Sequence, residues 1–138
     1  MGCLVESAHA ILAGLDPSDE MAFALHFDKL YSVHLNDQNG LKFDQDKAFG
    51  SVDLRRAFNQ VRVLDKAGYA KKGLVGMDVK AMRTQPQALA TKHLRNSLQM
   101  FLRLVPIVRS LDDAKVDELV AARDYEELEW MILDKLLA

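Results

Sequence analysis

The residues with the most chemistry to offer sit in one short stretch, Val33-His34-Leu35-Asn36-Asp37-Gln38-Asn39-Gly40-Leu41-Lys42-Phe43-Asp44-Gln45-Asp46. It opens as a strand, because Leu30, Tyr31, Val33 and Leu35 are apolar or β-prone. His34 and Asn36 are two apart, so an extended backbone points them the same way. Asn39-Gly40 is the strongest signal for a tight hairpin, since both central positions of a type I′ turn need positive φ. The chain then returns through Leu41–Phe43 to Asp44 and Asp46, again two apart. One loop thus gathers an imidazole, an amide and two carboxylates. Converging carboxylates repel each other unless a cation or a shared proton relieves them, and a divalent cation is the economical reading. Singly, the same residues have plainer roles: Asp44 and Asp46 as solvated loop charges, His34 as a hydrogen-bonded core histidine.

The elements that must position these groups follow from periodicity. Met1–Val5 is an apolar run ending at Glu6 and reads as a first strand. Ser7–Leu15, closed by Gly14, reads as a short helix or turn. Asp16 caps a helix with Pro17 at its first position and Asp19 and Glu20 in its first turn, running to about Phe27. Beyond the loop, Ser51 is the expected N-cap of a helix whose apolar stripe is Leu54, Ala57, Phe58, Val61 and Leu64, with Gly68 just past its end. Leu74–Val79 reads as a third strand with Asp78 near its end. Thr84 and Gln87 have capping-box spacing, with Pro86 in the first turn, and predict a long helix that Pro106 bends or ends. Two acidic amphipathic helices follow, about Ala114–Arg123 and Tyr125–Leu137.

Strands alternating with helices imply right-handed βαβ units and a parallel sheet. Glu6, His34 and Asp78 then fall at the C-terminal ends of three different strands, the end where βα-barrel sites are built. Glu6 alone would be a surface carboxylate and Asp78 a strand-end cap; the joint pattern is stronger than any member.

Composition narrows the function classes. A hydrophobic fraction of 49% and a charged fraction of 28% over 138 residues describe one ordinary globular domain. A net charge of -2 offers no electrostatic reason for binding nucleic acid or an anionic membrane. Cys3 is the only cysteine, so no intrachain disulfide forms, and a cytoplasmic protein is expected. Met1-Gly2-Cys3 opens like a myristoylation signal, but Glu6 stands where that motif takes Ser or Thr. No apolar run is long enough for a signal peptide or a membrane span.

Several motifs in register closely resemble the C-terminal part of the xylose isomerases: Glu6-Ser7-Ala8-His9; Lys29-Leu30-Tyr31-Ser32-Val33-His34-Leu35-Asn36; Lys42-Phe43-Asp44-Gln45-Asp46 with Phe49-Gly50 and Asp53-Leu54; and Asp78-Val79-Lys80 with Arg83-Thr84. The resemblance covers about Val5 to Thr84 and, less specifically, the helices beyond. It implies an α/β fold, a partial (β/α)8 (TIM) barrel formed by the last three βα units with three parallel strands, plus a C-terminal helical arm used in assembly. The expected division is residues 1–110 for the partial barrel and 111–138 for the arm. It implies an aldose–ketose isomerase working by a metal-assisted 1,2-hydride shift on a sugar such as xylose, with two divalent cations, Mn²⁺, Mg²⁺ or Co²⁺. By position, Glu6 matches the carboxylate bridging both ions, His9, Asp44 and Asp46 match ligands of one, and Asp78 matches a ligand of the other. Oxygen-rich shells of this kind suit these ions. Asn36 and Lys80 are expected to touch substrate or support the ligands.

Two departures stand out. Xylose isomerases carry an aspartate where this chain has His34; related rhamnose isomerases and ketose epimerases place a histidine ligand on that strand, so His34 is expected to remain a ligand, and the sugar is xylose or one such as rhamnose. The family's remaining metal-ligating glutamate, catalytic lysine and ring-opening histidine lie on earlier strands, so no catalytic residue is assigned here. A three-strand parallel sheet leaves two open edges, which predicts association, either as homo-oligomers or with a complementing N-terminal half. Turnover is expected only with the upstream strands supplied; the alternative is a non-catalytic oligomerising fragment or remnant of the same fold. An epimerase or a metal-dependent phosphodiesterase of the same superfamily is a weaker possibility, and the absence of a basic surface counts against the latter.

Overall fold

The computed structural model describes all residues, Met1–Ala138. Three short strands form one parallel sheet in the order β1-β2-β3: β1 Cys3–Glu6, β2 Leu30–Leu35 and β3 Leu74–Met77. Helices α1 (Ser7–Leu12) and α2 (Pro17–His26) connect β1 to β2, and α3 (Leu54–Lys66) connects β2 to β3. The chain closes with α4 (Lys92–Arg109), α5 (Asp113–Ala122) and α6 (Tyr125–Leu137). This is the α/β, parallel-stranded arrangement expected of part of a TIM barrel.

Strand alternation decides what faces the helices. Val33 and Leu35 are fully buried and join Met21, Phe58, Val61 and Leu104 in a single core, while His34 between them projects from the opposite face. On α3 the expected stripe packs inward at Ala57, Phe58, Val61 and Leu64, whereas Leu54 at the helix start is exposed. Asp16 caps α2 through its side chain, which accepts from Ser18 N at 2.8 Å. Gly68 follows the last residues of α3 with φ 60°, the left-handed geometry that suits glycine.

Several local expectations are corrected. Asn39-Gly40 does not close a strand hairpin: only Gly40 has positive φ, and the two limbs meet in a single antiparallel bridge between Asp37 and Lys47. Buried side chains, described below, shape this loop in place of a strand ladder. The cap of α3 is Asp53, which accepts from Arg56 N at 2.8 Å, because the Asp37 carboxylate binds Val52 and Asp53 N–H and starts the helix beyond Ser51. Thr84 caps nothing: Pro86 has an extended ψ of 144°, so only a 3-10 turn forms at Gln87–Leu89 and α4 begins at Lys92. Pro106 does not end α4, which continues to Arg109. β3 stops at Met77, two residues earlier than its apolar run suggested.

The tail packs on its own chain. Ile132 is buried in the core, with Leu128, Met131 and Leu136 against it. Arg55 on α3 grips Glu129 on α6 with Nε and Nη2, at 2.8 to 3.1 Å. Trp130 lies on the other side of α6 and is exposed. No helix is long and apolar enough to cross a membrane.

Candidate metal centre

Parallel register brings the three strand tips together. Glu6 pairs with His34 across β1 and β2, and Leu35 pairs with Met77 across β2 and β3, so Asp78 emerges beside them. His34 Nδ1 lies 3.3 Å from Asp78 Oδ2 and 4.0 Å from Glu6 Oε2. α1 starts directly after Glu6, and its first turn carries His9 back over that carboxylate, Nε2 to Oε1 at 3.4 Å. From the loop after β2, Asp44 Oδ2 reaches to 3.6 Å from the same His9 nitrogen.

Two trios of ligand-capable side chains result, Glu6–His9–Asp44 and Glu6–His34–Asp78, each with its ligand atoms within 4.8 Å of one another. They share Glu6. Four carboxylates (Glu6, Asp44, Asp46 and Asp78) crowd this end of the sheet against the single ammonium of Lys80. Asp44 Oδ1 is buried without a hydrogen-bond partner. A buried carboxylate oxygen with spare acceptor capacity, among further carboxylates and imidazoles, matches the donor set of a divalent cation. The residues fit such a group.

Asp46 stands apart from both trios. It is buried and adopts φ 44°, a left-handed conformation uncommon for a residue with a side chain. Its carboxylate accepts from Asn36 Nδ2 at 2.9 Å and pairs with Lys80 Nζ, while its carbonyl accepts from Lys80 N at 2.8 Å. Lys80 Nζ also lies 3.7 Å from Asp44. The hydrogen bond to Asp46, and then the charge of Asp46, raise the Lys80 pKa further and keep the ammonium charged.

Asn36 ties the site together. Its Oδ1 accepts from Ala8 N at 2.7 Å, and its Nδ2 donates to Glu6 Oε1 at 3.2 Å, Asp46 Oδ1 at 2.9 Å and the Asp78 carbonyl at 3.0 Å. Every residue singled out from the sequence therefore lies at this end of the sheet. Asp37 and Gln38 join the site without a sequence signal of their own. Both are buried polar residues of the loop, and no periodicity or spacing marks them; only tertiary burial does. A surface cleft of about 540 Å³ lies elsewhere, lined by Asp16, Leu41, Asp53 and Arg56 among others and by none of the ligand-capable residues.

No protein-family model matches the chain. Among curated proteins it is 36% identical to a xylose isomerase of Thermus thermophilus over 118 residues, 85% of this chain and 30% of the relative. It is 36% identical to a xylose isomerase of Streptomyces lividans over 124 residues, 89% of this chain and 31% of the relative. A xylose isomerase of Thermus caldophilus is 35% identical over 123 residues, 88% and 31% of the two chains. The chain thus spans about 30% of the length of the curated relatives it matches, and over that span it is a xylose isomerase-like sequence.

Proposed function

We propose that this chain forms the cation-binding end of an aldose–ketose isomerase barrel and supplies its last three βα units. The observation that carries the reading is the pair of ligand trios meeting on one shared carboxylate, Glu6. Glu6, His9 and Asp44 would hold one divalent cation and Glu6, His34 and Asp78 the other, while Asp46, outside both trios, supports them through Asn36 and Lys80. When bound, such cations act as Lewis acids on the carbonyl and hydroxyl oxygens of a sugar. The chain's own residues do the rest. Asn36 fixes the orientation of Glu6 and Asp46, and Lys80 presents a charged donor beside the carboxylates. The substrate is an aldopentose or deoxyhexose such as xylose or rhamnose, with His34 setting the choice of sugar.

Residues 1–110 form the partial barrel and 111–138 an arm. The edges of β1 and β3 carry no partner strand, and Leu4 and Leu74 on them are exposed. Those edges favour completion by the remainder of a barrel or by further copies, and turnover follows completion. They equally favour a second reading, a non-catalytic associating piece of the same fold.

Calorimetric titration of the chain with Mn²⁺ tests the first reading, which expects two bound ions and loss of both in Glu6→Gln. No uptake in the wild type sinks it. Isomerisation of xylose or rhamnose by this polypeptide alone would remove the second reading.

A further inference from the structure

The loop that delivers Asp44 is held by an unusual means. Its neck is closed by Asp37 and Lys47, whose main chains exchange hydrogen bonds at 2.9 Å in both directions. Between them, residues 38–45 make no main-chain to main-chain hydrogen bond at all. Backbone N–H and C=O groups are obligatory hydrogen-bonding groups, so a segment without a ladder takes its shape from whatever else satisfies them.

Here side chains do this: Asp37 Oδ1 accepts from Gln38 N at 2.9 Å, and the Gln38 side-chain amide makes most of the other contacts. Gln38 is 1% exposed. Its Nε2 donates to Gly40 O and to Phe43 O, each at 3.0 Å, and its Oε1 accepts from Gln45 N at 3.0 Å. The amide thus uses both donor hydrogens and its acceptor on the segment flanking Asp44. Gln45 returns one contact by accepting from Asn39 N at 3.0 Å. Asn39, Gly40, Leu41, Lys42 and Phe43 are exposed, so apolar burial does little to fix this segment.

We infer that Gln38 is a positioning residue, which templates the 38–45 loop from inside and so fixes the Asp44 carboxylate against His9 and Glu6. This rests on the cation reading above and adds an asymmetry to it. The Glu6–His9–Asp44 trio takes a member from the loop, whereas Glu6–His34–Asp78 is built on strand tips and takes none. Loss of the Gln38 amide should therefore damage one cation site and spare the other.

The test uses the full chain carrying Gln38→Met, which keeps an unbranched side chain of similar volume in the buried position but removes all three hydrogen bonds. Two readouts are taken: Mn²⁺ titration calorimetry and hydrogen exchange at the Gln45 amide. The expected result is one Mn²⁺ bound as in the wild type, the other weakened about 10- to 100-fold, the size typical of a lost supporting partner, with Gln45 protection lost. Equal weakening of both ions, or weakening of neither, overturns the inference.

If Gln38→Met does not fold, Gln38→Glu retains the acceptor for Gln45 N–H but sets a carboxylate oxygen against two carbonyls, and the same selective loss is expected. Failure of both variants to fold assigns Gln38 to global stability and also overturns the inference. Absence of Mn²⁺ uptake by the wild-type chain overturns the cation reading itself. In that event Gln45 exchange still decides the loop role: protection lost in the variant while the core amides keep theirs supports it, and unchanged protection defeats it.

Discussion

His34 and Asp78 meet across neighbouring parallel strands, Nδ1 to Oδ2 at 3.3 Å, although a loop, α3 and a turn separate them along the chain. On the cation reading they belong to one ion only. Replacing His34 with Leu is expected to abolish one Mn²⁺ site, an effect beyond the roughly 10- to 100-fold loss from a supporting partner. The Glu6–His9–Asp44 site should persist. Titration calorimetry reads the stoichiometry, and retention of both sites would contradict the assignment.

Glu6 belongs to both trios. Glu6→Gln keeps the shape and removes the charge, so both ions should be lost together. Asn36→Ala should weaken both as well, because the Asn36 amide touches Glu6 and Asp46. Loss of a single ion in either variant would argue against a shared ligand.

Phe58 is fully buried in the core, and Arg55 lies over its ring at 5.5 Å. Phe58→Ala combines the lost transfer energy with a cavity and should cost about 3–5 kcal/mol. A urea melt that moves by less than about 1 kcal/mol would show that the site collapses freely.

The Arg55–Glu129 fork joins α3 to α6. Both side chains are partly exposed, at 28% and 45%, so the pair is screened by solvent and Arg55→Met should cost no more than about 1 kcal/mol. The same variant should raise hydrogen exchange in α6 before it does so in α3. Uniform loosening would mean that the tail is not held at this point.

Asp113 carries the clearest acid dependence. The hydrogen bond from Lys66, then the one from Arg62, pulls its pKa below the ordinary 3.8. The folded state therefore takes up this proton less readily than the unfolded chain. Its contribution is fully present above about pH 4–5 and fades as pH falls through that range and below. Wild type and Asp113→Asn should differ in thermal midpoint at pH 7 and converge toward pH 2–3, with the gap narrowing in high salt. A constant gap across that range would exclude the ion pair as its source.

Much of this was legible in the sequence, for identifiable reasons. Asp16-Pro17, the α3 stripe from Ala57 onward and Gly68 are local signals that depend on neighbours in the chain, and these keep their expected roles, whereas Leu54 at the helix start is exposed. Ser51 and Thr84 do not cap because a local signal competes there with a distant group or with the backbone conformation. Asp37, remote from α3 in sequence, claims the N–H groups of Val52 and Asp53, and the extended backbone at Pro86 delays α4.

Residue pattern alone is enough to send Val33 and Leu35 inward and His34 outward, because side-chain direction along a strand has a fixed period. It also determined which residue types stand at each strand end. The burial of Gln38, the φ of 44° at Asp46 and the approach of Asp44 to 3.6 Å from His9 arise from contacts made in the folded chain. The reason is that the loop carries no ladder of its own. Its shape depends on which side chains turn inward to satisfy its backbone, chiefly Gln38, and no periodicity marks that turn.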